Sequence, residues 1–155
     1  MKIGRVTLSD RAHAGVYEDL SGPEIERIVR EHLDPSAEIL VRLLPDEQAE
    51  IEAALVELAD RLGCELIVTT GGTGPAPRDV TPESTLAVLE RELPGFGEAM
   101  RSVSFAKVPT AILSRATAGT RGKTLVINLP GNPRAIAECL PPLVPAIREC
   151  LLHLK

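Results

Sequence analysis

The sequence predicts an α/β protein whose sheet is largely parallel and covered by helices on both faces. Three observations carry this expectation. Short apolar, partly β-branched runs at Ile3–Ser9, Glu38–Leu44, Leu66–Thr70 and Leu125–Leu129 have the length and composition of strands. The segments between them carry apolar residues at helical spacing. The polar turns follow the strands, and in a parallel α/β sheet such turns collect along one edge, where ligands bind.

The first strand, Ile3–Ser9, ends in Ser9-Asp10-Arg11. His13 to Gly22 contains turn formers and the only tyrosine, so it reads as a surface loop covering the site. Pro23 opens a helix whose Ile25, Ile28, Val29 and His32 or Leu33 share one stripe. After the second strand, Pro45-Asp46 breaks the pattern. Asp46 suits the N-cap of a helix over Glu47–Leu62, with Ile51, Leu55, Leu58 and Leu62 on its apolar side and Gly63 as its stop. From that position its carboxylate also shares a crevice with Asp79.

Leu66–Thr70 is the third strand, and Thr81-Pro82 is typed as N-cap and first-turn proline of a helix over Thr81–Leu93. Its Leu86, Leu89 and Leu93 are expected inside, with Pro94-Gly95-Phe96-Gly97 terminating it. Glu98 to Ala116 is ambiguous between a helix and an irregular crossover, with a helical turn starting at Pro109. Ser114-Arg115 on its own reads as surface. Leu125–Leu129 is the fourth strand, Asn132 caps and Pro133 opens the helix after it, and a last amphipathic helix covers Leu143–Leu154 after Pro141-Pro142.

Composition narrows the function. The chain has 155 residues, 44% of them hydrophobic, which suits one domain over residues 1–155 with its own core. Aromatic residues are 2% and tryptophan is absent, so base-stacking platforms for single-stranded nucleic acid are not available. A net charge of −5 without a basic block argues against nucleic acid as a partner. No apolar stretch reaches the ~20 residues needed to span a bilayer. The 3 cysteines, Cys64, Cys139 and Cys150, are spaced for neither a disulfide framework nor a zinc site, and a cytoplasmic protein with reduced thiols is expected.

The stretch with chemistry is Thr69 to Glu83. Gly71, Gly72 and Gly74 expose backbone N–H groups at the end of a strand, where phosphate oxygens can approach closely. Thr70 and Thr73 add hydroxyls, and Arg78 and Asp79 supply one charge of each sign. Because the global field is unfavourable for an anionic ligand, local N–H groups, single arginines and a divalent metal would have to hold it. Two phosphate motifs are excluded. Gly72-Thr73-Gly74 begins like the dinucleotide fingerprint, but the third glycine falls on Pro77. Gly122-Lys123-Thr124 ends like a P-loop, but its first glycine would be Thr117 and a strand follows where a helix should. It reads as a turn with an exposed lysine.

Taken together, Leu43-Leu44-Pro45-Asp46-Glu47, Thr69-Thr70-Gly71-Gly72-Thr73-Gly74, Arg78-Asp79-Val80-Thr81-Pro82-Glu83 and Asn128-Leu129-Pro130-Gly131-Asn132-Pro133 resemble the molybdopterin adenylyltransferase family of molybdenum-cofactor biosynthesis. Ser9-Asp10-Arg11, Gly15-Val16-Tyr17, Pro94-Gly95-Phe96-Gly97 and Pro109-Thr110-Ala111-Ile112-Leu113-Ser114-Arg115 extend the likeness over nearly the whole chain. The resemblance implies a three-layer α/β/α sandwich with a mixed sheet, usually assembled as a homotrimer. It implies transfer of AMP from Mg·ATP to molybdopterin with release of pyrophosphate, Mg²⁺ as cofactor and a molybdenum-insertion protein as a possible partner.

Carried over by motif, Asp46 and Asp79 would be the functional carboxylates and metal ligands, with Thr70, Gly71, Gly72, Thr73 and Gly74 cradling phosphates. Ser9, Asp10, Ser114, Arg115, Asn128, Pro130, Gly131 and Asn132 are further candidates for ligand contacts. Within that family the resemblance is to the shorter members, expected to be without the longer hairpin-bearing C-terminus of some bacterial relatives. A non-catalytic trimeric pterin carrier and a nucleotide phosphohydrolase of the same domain type are the alternatives.

Overall fold

The computed structural model of the chain describes residues 1–155. It runs through β1 (Lys2–Leu8), a short helix α1 (Asp10–His13), α2 (Ser21–His32) and β2 (Glu38–Leu44). There follow α3 (Gln48–Val56), β3 (Leu66–Thr70), α4 (Thr81–Val88), β4 (Arg91–Glu92) and α5 (Gly95–Phe105). A hairpin of β5 (Ala118–Arg121) and β6 (Thr124–Leu129) leads to α6 (Pro133–Cys139) and α7 (Val144–His153).

The strands form one 6-stranded sheet in the order β2-β1-β3-β6-β5-β4. β2, β1, β3 and β6 are parallel, while β5 pairs antiparallel with β6 and β4 antiparallel with β5, so the sheet is mixed. Strand alternation divides the core in two. Ile3, Leu66, Val68, Leu125, Ile127 and Leu129 face a cluster of 21 buried residues shared with α2, α5, α6 and α7. Val6, Leu8, Ile67 and Val126 face a smaller cluster of 9 with Ile51 and Leu55 of α3 and Val88 of α4. This is the three-layer sandwich. Each fully buried branched side chain contributes roughly 1.5–3 kcal/mol, so the central strands hold the molecule together.

The helices that follow β1 and β3 lie on opposite faces of the sheet, so the chain parts between two adjacent strands at their C-terminal ends. That is a topological switch point, the usual place for a crevice in an open α/β sheet. The polar turns after β1, β2, β3 and β6 all end there.

Several elements depart from the sequence reading. The helix expected over Glu47–Leu62 is α-helical only to Val56 and widens into a π-turn over Glu57–Arg61, with Leu62 N–H donating to Glu57 O at 3.0 Å. Its N-cap is Glu47, and Asp46 does not cap it. The helix expected over Thr81–Leu93 stops at Val88, because Leu89 turns extended and Arg91–Glu92 pairs with β5. Its inward face is mixed, with Thr81, Ser84 and Thr85 buried beside Pro82 and Val88, while Leu86 is exposed.

Pro94-Gly95-Phe96-Gly97 begins α5 where a stop was expected. Phe96 and Met100 pack into the larger core, and a Cβ on Gly97 would stand 2.2 Å from Ala116 O, so only glycine lets the helix approach. β5 went unseen in the sequence because Ala-Gly-Thr-Arg has no apolar alternation. There, Gly119 permits the β4 backbone to come close.

Candidate active site

The turn after β3 is wedged between β1 and α4. Gly71 has φ +95 and a Cβ there would lie 2.2 Å from Leu8 O; Gly72 has φ +65 and a Cβ would lie 2.3 Å from Thr81 Oγ1. Both positions thus demand glycine for conformation and for space. Thr81, expected to cap its helix, serves the turn instead: its N–H donates to Gly72 O at 3.1 Å and its hydroxyl to Gly71 O at 2.8 Å. The Gly71 N–H donates to Leu129 O at 3.4 Å and is not free for a ligand. The N–H groups of Gly72, Thr73 and Gly74 donate to no protein acceptor, which leaves a nest of backbone donors beside the crevice.

Two carboxylates flank this nest. Asp46 Oδ1 would lie 3.0 Å from a Cβ on Gly72, and Asp79 Oδ2 2.8 Å from a Cβ on Gly74. Asp46 is fixed by an exchange with Asp10: Asp46 Oδ2 accepts from Asp10 N–H at 3.0 Å, and Asp46 N–H donates to Asp10 Oδ1 at 3.0 Å. Its Oδ1 is buried and has no hydrogen-bond partner. Burial pushes the Asp46 carboxyl above the usual aspartate range, helped by the like charges of Asp10 and Asp79. Asp10 is held below that range by its hydrogen bonds with Arg78 and by the backbone N–H of Asp46. Asp79 Oδ2 accepts from Ala76 N–H at 3.1 Å.

Arg78 spans Asp10, at 3.0 Å through both Nε and Nη2, and Glu47 at 2.8 Å. It therefore ties the turns after β1, β2 and β3 together. Arg115 performs the same service on the other side. Its backbone N–H donates to Thr73 O at 2.8 Å, its Nε to Gly74 O at 2.9 Å and its Nη2 to Asp79 O at 2.7 Å, and its Nη1 pairs with Glu83. The guanidinium grips the loop, a role that no local pattern in Ser114-Arg115 signals.

The turn after β6 completes the wall. Asn132 caps α6 as expected, accepting from Arg134 N–H at 2.8 Å and Ala135 N–H at 3.4 Å. Thr70 donates its hydroxyl to Pro130 O at 2.7 Å, and Ser21 donates to Gly131 O at 3.0 Å. Ser9 caps α1, accepting from Ala12 N–H at 3.1 Å. Asn128 is corrected: it is fully buried, with Nδ2 donating to Thr69 Oγ1 at 3.1 Å and Thr85 Oγ1 at 2.9 Å. It belongs to the frame beneath α4 and cannot meet a ligand. Ser114, Pro130 and Asn132 line a cavity of about 180 Å³ that runs toward Met100, Ser104 and Glu138.

The site has features that fit a magnesium ion with its phosphates. A buried carboxylate oxygen without a partner, a second carboxylate and free backbone donors suit a hard cation that binds through few protein ligands and phosphate oxygens. No group of three or more His, Cys, Asp or Glu side chains is placed to hold an ion alone, so a cation here would need ligand oxygens to complete its coordination.

Fold and site thus define an α/β domain with a crevice suited to an anionic ligand at the C-terminal edge of its parallel strands. The family described as "Probable molybdopterin binding domain" matches residues 4–149, and the chain belongs to it. It is 52% identical over 149 residues to the molybdopterin adenylyltransferase of Helicobacter pylori, covering 96% of this chain and 85% of that one. It is 56% identical over 140 residues to the Haemophilus influenzae molybdopterin adenylyltransferase, covering 90% and 71%. Among solved structures, MogA superposes with a TM-score of 0.92 at 37% identity over the whole of both chains. The molybdopterin biosynthesis enzyme MoaB of Thermus thermophilus gives 0.87 at 41% identity, covering 97% of this chain and 96% of that one.

Proposed function

We propose that this chain is a molybdopterin adenylyltransferase, which transfers AMP from Mg·ATP to the terminal phosphate of molybdopterin and releases pyrophosphate during molybdenum-cofactor biosynthesis. The observation that carries the reading is the donor nest of Gly72, Thr73 and Gly74 set between Asp46 and Asp79, with Asp46 Oδ1 buried and unpaired. The relatives named above as adenylyltransferases support it.

The chemistry asks little of the protein beyond alignment. An oxygen of the pterin phosphate forms a bond to the α-phosphorus as the bond to the β-phosphate bridging oxygen breaks, and that oxygen leaves with pyrophosphate. The nucleophile is already an anion, so no strong base is needed. The free N–H groups would hold phosphate oxygens, and Asp46 and Asp79 are the residues that would hold Mg²⁺, which would supply neutralisation of phosphate charge. The cavity beside Ser114 and Asn132 takes the pterin.

Assembly as a homotrimer, delivery to a molybdenum-insertion protein and a cytoplasmic setting belong to the same reading. Phe105, Val108, Ile112 and Leu113 are exposed apolar side chains that a subunit contact would cover, and no helix is long and apolar enough to cross a membrane. Mass spectrometry of products from Mg·ATP plus molybdopterin tests the function. Adenylylated pterin with pyrophosphate is expected, and its loss in Asp79→Ala. Free AMP without adenylylated pterin would make the protein a hydrolase, and pterin binding without nucleotide turnover would make it a carrier.

A further inference from the structure

Arg5 lies in the middle of β1, yet it is only 9% exposed. A guanidinium inside an α/β sandwich is costly unless its charge is answered. The answer comes from Asp19, outside any helix or strand. Asp19 Oδ2 accepts from Arg5 Nη1 at 3.3 Å and from Thr7 Oγ1 at 2.8 Å, while Oδ1 accepts from Gly22 N–H at 2.9 Å. Arg5 Nε keeps no hydrogen bond, with Glu26 Oε2 3.7 Å away. A Cβ on Gly22 would stand 1.6 Å from Arg5 Nη1, so glycine at this position makes the room for the pair.

The pair connects to the site. Ser21, adjacent to Gly22 in the first turn of α2, donates to Gly131 O at 3.0 Å. Gly131 in turn packs on the phosphate turn, where a Cβ on it would stand 3.2 Å from Gly71 Cα. Tyr17, Asp19 and Ser21 also line a cavity of about 50 Å³ together with Ser9, Thr70 and Gly71. An ion pair kept only for stability could be replaced by apolar packing. This one is tied, through the Asp19–Gly22 and Ser21–Gly131 hydrogen bonds, to the turn after β6, which packs directly on the Gly71 turn.

We infer that Arg5 and Asp19 are positioning residues: through Ser21 they set the spacing between the Gly71–Gly74 turn and the Pro130–Asn132 turn, and so the alignment of the two phosphates. The inference rests on the adenylyl-transfer reading for its kinetic consequence only.

Asp19→Asn keeps the shape and removes the charge. In the full-length protein it should lower kcat about 10- to 100-fold, the cost of a sub-ångström to ångström misplacement, with the KM for ATP changed less than about threefold. The Gly71 and Thr81 amides, hydrogen-bonded in the wild type, should exchange with deuterium about tenfold faster. Asp19→Glu, which retains the charge, should recover part of kcat. Ser21→Ala cuts only the link to Gly131 and should reproduce both effects even if Asp19→Asn fails to fold. A kcat within twofold of wild type in Ser21→Ala, or unchanged exchange at both amides, overturns the inference. If the wild type makes no adenylylated pterin, the functional reading falls, and amide exchange still decides whether the link exists.

Discussion

Asp10 and Asp46 brace each other across the crevice, each carboxylate accepting the other's backbone N–H at 3.0 Å. The brace consumes Oδ2 of Asp46 and leaves Oδ1 buried and unpaired, aimed at the glycine turn. Asp46→Asn can keep the acceptor for Asp10 while removing the charge. Pyrophosphate release at saturating Mg·ATP is expected to fall by about 10²-fold, the scale of losing one electrostatic contact to the transition state. The thermal midpoint should hold or rise, since burial and the like charges of Asp10 and Asp79 disfavour an ionised carboxylate at this position. An unaltered rate would remove Asp46 from the site.

Gly72→Ala tests the turn itself. The new methyl group meets Thr81 Oγ1 at 2.3 Å in a backbone conformation with φ +65. We expect a loss of about 1–3 kcal/mol in urea unfolding, with strain and collision acting together. Full stability in this variant would mean that the turn can relax away from α4.

Arg115→Lys keeps the charge and loses the fork. One ammonium cannot reproduce donation to Gly74 O, Asp79 O and Glu83 together. The KM for ATP should rise about tenfold with kcat less affected, because looser phosphate donors weaken binding of substrate and transition state alike. Steady-state kinetics over a range of ATP would detect the split, and an unchanged KM would contradict the clamp.

Asp46 and Asp34 contribute to the pH dependence of stability in opposite senses. Asp46, raised above 3.8 by burial, binds its proton more tightly in the folded protein, so stability falls as pH rises from 3.8 through the folded value. Asp34, lowered to about 2 mainly by its hydrogen bond with the N-terminal ammonium, contributes stability above 3.8 that disappears as pH falls toward 2. Without magnesium, Asp46→Asn should therefore gain on the wild type as pH rises. Asp34→Asn should be weaker above that window and converge with the wild type toward pH 2. Urea midpoints across pH would separate the two, and parallel profiles would refute both assignments.

The sequence carried the four parallel strands clearly: the buried strand Leu66–Thr70 is a continuous apolar or β-branched run, and the half-exposed edge strand Glu38–Leu44 is mostly apolar and ends sharply at Pro45-Asp46. It also carried the cap at Asn132, a local signal. The antiparallel edge was not legible, because Gly119 answers to β4 far along the chain; nor was the start of α5, where Gly97 answers to Ala116, or the burial of Thr85 in α4 over Asn128. Within the site, the glycine turn and Asp79 stood out by residue type, whereas Asp46 read first as a helix cap and took its functional role from the family motif. The Arg115 clamp, the Asp10 brace and the Arg5–Asp19 pair did not, since each is a contact across many residues with no periodic trace.

Arg78, Arg115, Ser21 and Thr70 bind the crevice turns to one another, not merely to their own helices. The conformational entropy of these turns is thereby surrendered when the chain folds, long before a nucleotide arrives. Docking should cost little further ordering, and a single substitution in one turn will be felt by its neighbours, so adapting this pocket to a different nucleotide would require coordinated change in several turns.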